Sequence, residues 1–130
     1  MTSNEATEGG GAFGHNRHGK LGYLEIPALD IERSASFYAA LFGWQVDRRD
    51  ATTAGFDDGT GELIGHMVTG RAVTREPGFL PYIYVDDLQA VVGQAVALGS
   101  EVVKSPRPEG GLMIANIRDP AGNVIGVWHG

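Results

Sequence analysis

Hydrophobic residues recur along this chain in two rhythms. At Tyr23-Leu24-Glu25-Ile26-Pro27 the alternation has a period of two, which predicts a strand, and Pro27, lacking an amide hydrogen, marks where ladder pairing stops. From Ile31 the period lengthens to that of a helix. Ile31, Ser34, Ala35, Phe37, Tyr38, Leu41 and Phe42 form one stripe, with Asp30 as the N-cap and Gly43 where a left-handed residue is wanted. Strands are expected at 44–49, 53–56 and 62–68, with a turn at Asp58-Gly59. The stretch 69–78, TGRAVTREPG, reads as a polar connector.

The plan then repeats. A strand over 79–85 leads to Asp87 and a helix over 88–98, with Ile83 standing where Ile26 stood, Asp87 where Asp30 stood and Leu88 where Ile31 stood. Asp58-Gly59-Thr60-Gly61-Glu62-Leu63-Ile64-Gly65 is echoed by Asp119-Pro120-Ala121-Gly122-Asn123-Val124-Ile125-Gly126, a turn followed by a strand. Between them lie a strand at 101–104, an exposed loop SPRPEGG at 105–111 suited to a lid, and a strand at 112–118. The closing strand is 123–129. The reading is an α+β fold with two copies of strand, helix and three strands, at 19–74 and 75–130, sharing one interior as a single domain.

Residues 1–18 are glycine-rich and almost without aliphatics, so a disordered tail is expected; His15 and His18 in it read as surface residues. The chain has 130 residues, 42% hydrophobic and 20% charged, with a net charge of -6. Its ten basic residues are scattered, which argues against nucleic acid as a partner. It has no cysteine, which removes disulfides, thiol nucleophiles and thiolate metal sites. No run is long and apolar enough for a membrane span, and a cytoplasmic location is the expectation. Nothing resembles a serine triad, a P-loop or a dinucleotide fingerprint.

With ERSASFYAALFGW in the first copy and RDPAGNVIGVW at the end, residues 19–130 resemble the glyoxalase, bleomycin-resistance and extradiol-dioxygenase superfamily, also called vicinal oxygen chelate proteins. LEIP and the terminal GVW resemble a subgroup described as related to lactoylglutathione lyase. The resemblance implies two βαβββ modules whose mixed sheets curl into an open barrel with helices outside and a cavity within. In the metalloenzymes of the family, residues on the first and fourth strands of each module hold a divalent ion that polarises vicinal oxygens. Carried across, those positions fall on Tyr23, Gly65, Leu80 and Gly126, none an ordinary ligand, so no metal cofactor is expected.

Strand alternation then gives a cavity lined by Tyr23, Glu25, Met67, Tyr82, Asn116 and Trp128, with Ile114 behind. This is an apolar, aromatic cup of the kind that takes an organic ligand. Glu25 is the candidate catalytic residue. Desolvated in such a wall it suits acid or base chemistry; alternatively it pairs with an arginine such as Arg118. His66 is expected on the helix side.

The function expected is metal-independent small-molecule binding, with isomerase, lyase or cyclase activity through Glu25 if there is turnover. The alternatives are a non-catalytic binder sequestering a drug or toxin, and a metal-dependent lyase or dioxygenase with atypical ligands. Exposed strand edges suit a homodimer.

Overall fold

The computed structural model describes residues 16–130. The tail expectation therefore falls mostly on residues outside the described ones, His15 among them; His18 is exposed. In chain order the elements are β1 (Tyr23–Pro27), α1 (Ile31–Phe42), β2 (Gln45–Arg48), β3 (Thr53–Asp57), β4 (Ile64–Val68), β5 (Tyr82–Tyr84), α2 (Leu88–Ala97), β6 (Val102–Glu109), β7 (Leu112–Arg118) and β8 (Val124–His129). They form an α+β fold of two four-stranded mixed sheets, ordered β1-β4-β3-β2 and β5-β8-β7-β6, and the sheets do not close into a barrel. In each, the strand before the helix pairs in parallel with the last strand of its half, and the remaining pairs are antiparallel.

The caps are where the sequence puts them. Asp30 accepts from the Arg33 amide and Asp87 from the Ala90 amide, each at 3.1 Å, satisfying a donor that the first helical turn leaves open. Gly43 closes α1 with φ of 73°, a conformation glycine adopts without a Cβ clash.

One apolar core joins both halves on the helix side of the sheets. Ile26, Ala35, Tyr38, Trp44, Phe56 and Met67 from the first half meet Val92, Ile117 and Val127 from the second. Trp44 stacks between Tyr38 and Phe56, with ring centroids 5.1 and 4.7 Å away. Burying one such side chain stabilises the fold by about 1.5–3 kcal/mol. Polar ties cross the same seam: Asn123 Nδ2 donates to Pro27 O at 2.7 Å, and Gln94 Nε2 to Ala40 O at 3.1 Å.

Two expectations need correction. The segment 105–111 is not a lid: Ser105–Glu109 continues β6, which pairs with β7 down to Glu109 opposite Leu112. Pro106 and Pro108 are tolerated because β6 is an edge strand whose unpaired side needs no donors, and its ladder is broken by register shifts near them.

The second correction concerns β4. The turn between β3 and β4 has six residues, 58–63, whereas that between β7 and β8 has five, 119–123. The extra residue shifts β4 by one position against its echo, and a one-residue shift turns every side chain to the other face of a strand. Gly65 and Met67 therefore face the helices, and His66 faces away. A Cβ on Gly65 would lie 1.8 Å from Leu24 O and 2.6 Å from the Phe56 ring, so the position belongs to close sheet packing.

Candidate functional site

The faces turned away from the helices, here the open faces, carry Tyr23, Glu25 and His66 on the first sheet and Tyr82, Tyr84, Asn116 and Trp128 on the second. On the second sheet, Tyr82, Gly126 and Asn116 stand in register in one row across β5, β8 and β7. Gly126 has no side chain, and a Cβ there would come within 2.3 Å of the Tyr82 ring. The ring of Tyr82 thus lies across β8 and reaches Asn116 two strands away. The tyrosine ring fills the space that a side chain at Gly126 would take.

Asn116 is buried and oriented from both ends. Arg107 Nη2 donates to its Oδ1 at 2.9 Å, and its Nδ2 donates to Tyr82 Oη at 3.3 Å. Because the phenol oxygen accepts from the amide, the phenol proton is free to be donated elsewhere. The next row holds Tyr84, Trp128, Ile114 and Arg107. Tyr84 meets Trp128 edge-on at a centroid distance of 5.0 Å. A cavity of about 390 Å³ opens here, lined by Tyr82, Glu109, Leu112, Ile114 and Trp128.

On the first sheet the corresponding row is Glu25, His66, Gly55 and Asp47. The Tyr23 hydroxyl bonds to His66 Nδ1, and Glu25 is paired with Arg71. Arg118, the partner expected for Glu25, instead holds Glu101 at 3.1 Å and Gly122 O at 3.0 Å.

Of the six residues expected to line one cavity, the structure brings Tyr82, Asn116 and Trp128 together. Tyr23 and Glu25 share the open face of the other sheet, with hydrogen bonds that stay within that half, and Glu25 meets Tyr82 in the lining of a separate cavity of about 320 Å³. Met67 is fully buried among the helices' side chains, a consequence of the longer turn. Two participants escaped the sequence reading. Arg107 was hidden by its flanking prolines, and His66 by the assumption that both turns are equally long; counting six residues against five reveals it.

The shift of register also moves one family metal position from Gly65 to His66. The set then reads Tyr23, His66, Leu80 and Gly126, with a single ordinary donor whose Nδ1 is bonded to Tyr23. The neighbouring carboxylate, Glu25, is held by Arg71. Among the described residues no three His, Asp or Glu side chains converge on one point. These residues do not fit the divalent ion that the family resemblance implies.

Residues 24–128 match the model of the glyoxalase-like domain family. CFP32 of Mycobacterium bovis, provisionally described as a glyoxylase, is 28% identical over 121 residues, covering 87% of this chain and 46% of that protein. The anthracycline biosynthesis protein DnrV of Streptomyces peucetius is 27% identical over 135 residues, covering 85% and 47%. The chain therefore spans about half the length of these curated relatives. In fold it is similar to a glyoxalase/bleomycin resistance protein/dioxygenase family enzyme from Burkholderia phytofirmans, with a TM-score of 0.70 and 24% identity over 84% of this chain and 97% of that one.

Proposed function

Since this chain belongs to the glyoxalase-like domain family, we propose that it is a metal-independent small-molecule-binding protein that holds an aromatic organic ligand on the open face of its second sheet. The observation that carries this reading is the Arg107–Asn116–Tyr82 relay beside Trp128. A buried amide held at both ends fixes the phenol, and the phenol donates its proton to a ligand oxygen without rearranging. Tyr84 and Trp128 supply flat apolar surface for a ring system. The family's usual way of polarising an oxygen is an ion; here the phenol hydrogen bond does it.

Where a substrate turns over, the same geometry makes Tyr82 the group that stabilises a developing oxyanion. In this reading Glu25, paired with Arg71 on the other sheet, takes no part as acid or base. The name of the relative DnrV places that protein in anthracycline biosynthesis, and a planar polycyclic ligand of that class matches this face. Tyr23, Tyr82 and Tyr84 are 48%, 39% and 49% exposed, so a homodimer that covers the open faces belongs to the same proposal.

The test is titration of 1,4-dihydroxyanthraquinone into chelator-treated protein, followed by tryptophan fluorescence. Saturable quenching is expected, with affinity about tenfold weaker in Tyr82→Phe, the cost of one hydrogen bond. Equal affinity in Tyr82→Phe and Trp128→Leu removes the site.

A further inference from the structure

We infer that the open face of the first sheet carries a second subsite, built by Tyr23, Arg49, Gly55 and His66, which takes the carboxylate of an organic acid. Its floor is Gly55, directly opposite His66 in the β3–β4 ladder. A Cβ at Gly55 would lie 3.2 Å from Arg49 Nη2 and 3.8 Å from His66 Nε2. A guanidinium and an imidazole nitrogen thus converge on one point above the sheet, and the missing side chain leaves that point open. The surrounding cavity of about 500 Å³ also includes Gln45, Asp47 and Ile64.

Proton placement follows from the partners. In the neutral ring, a Tyr23 hydroxyl that donates makes His66 Nδ1 the acceptor. The ring hydrogen of the neutral imidazole is then on Nε2, the nitrogen that faces Gly55. Arg49 is anchored by its Nε to Asp47 Oδ2 at 3.1 Å, which leaves its outer nitrogens as donors. Of the other carboxylates nearby, Asp57, which also lines the cavity, accepts from the Gly59 amide, and Glu25 is engaged by Arg71. Two donors, one of them cationic, therefore meet over Gly55, with Asp47 engaged at the Nε of Arg49 rather than at its outer nitrogens. A carboxylate matches both, accepting from Nε2–H with one oxygen and from the guanidinium with the other.

This subsite is independent of the ligand face on the second sheet and is read out separately. Full-length protein labelled with nitrogen-15 is titrated with benzoate and, as the neutral counterpart, benzamide, while the His66 ring nitrogens are followed by NMR. Benzoate is expected to shift Nε2 saturably and benzamide not at all. Arg49→Gln should weaken benzoate about tenfold or more, and Tyr23→Phe should change the tautomer signature of His66 in the free protein. Gly55→Ala, which only asks the flexible end of Arg49 to move, should block binding while leaving the melting temperature near that of the wild type. Absence of a saturable shift at millimolar benzoate, or unchanged affinity in both Arg49→Gln and Gly55→Ala, overturns the assignment.

Discussion

The hydroxyl of Tyr38 donates to Asp119 Oδ2 at 2.7 Å, joining residues 81 apart in the chain. Tyr38 sits in α1 and Asp119 in the turn between β7 and β8, so the bond fastens the first half to the end of the second. Asp119 is also the hub of its own turn. Its Oδ1 accepts from the amides of Ala121, Gly122 and Asn123, and its Oδ2 accepts from Asn123 Nδ2, which in turn reaches Pro27 O.

Tyr38→Phe removes one donor from a carboxylate that keeps four others. The expected cost is about 1–2 kcal/mol, measured as a lower urea midpoint with unchanged slope. Asp119→Ala should cost more, because it orphans the Tyr38 hydroxyl and the backbone amides of Ala121 and Asn123 in a buried place. A smaller loss for Asp119→Ala than for Tyr38→Phe contradicts the hub.

Burial raises the Asp119 carboxyl above its ordinary range, against the lowering effect of the hydrogen bonds from Asn123, Tyr38 and Ala121. A folded-state value above the unfolded one means that the folded chain binds more protons between the two. The contribution of this group is then fully present below about pH 3.9 and is lost as pH rises through the folded value. Urea unfolding of wild type and Asp119→Asn between about pH 3 and pH 7 should show the wild-type advantage shrinking as pH rises. An advantage that grows with pH runs against this assignment.

The two echoed glycines make a sharper pair. At Gly65 an added methyl meets the carbonyl of Leu24, which is backbone within a ladder; at Gly126 it meets the ring of Tyr82, a half-exposed side chain that can turn outward at the cost of its bond from Asn116. Gly65→Ala should abolish soluble folded protein or lower stability by roughly 3 kcal/mol or more. Gly126→Ala should fold, with a modest stability loss and impaired anthraquinone binding. Thermal melts of both variants and quenching of the second check this; the reverse order of stability contradicts it.

These contrasts show what the sequence made legible. Local signals carried the helices, their Asp30 and Asp87 caps, the Gly43 stop, and the alternation that put Tyr82, Asn116 and Trp128 on one face. Repeat matching failed at one place, the turn before β4, because residue identity aligned Gly65 with Gly126 while strand register aligns His66 with Gly126. An error of one residue inverted the facing of Met67 and His66. Arg107 was lost for a different reason. Proline normally signals a loop, and only the position of β6 at the sheet edge, a property of the assembled fold, makes Pro106 and Pro108 compatible with a strand. The partners of Glu25 and Tyr38 are long-range and have no local trace.

The four family metal positions have passed to Tyr23, Leu80, Gly126 and a His66 whose Nδ1 is bonded to Tyr23. Equilibrium dialysis of the purified protein against zinc, nickel and manganese, read by elemental analysis beside anthraquinone binding, tests this most directly. Substoichiometric metal, with anthraquinone affinity the same before and after chelation, is the predicted result. One tightly held ion per chain that is lost in His66→Gln, or anthraquinone binding that requires added metal, contradicts it.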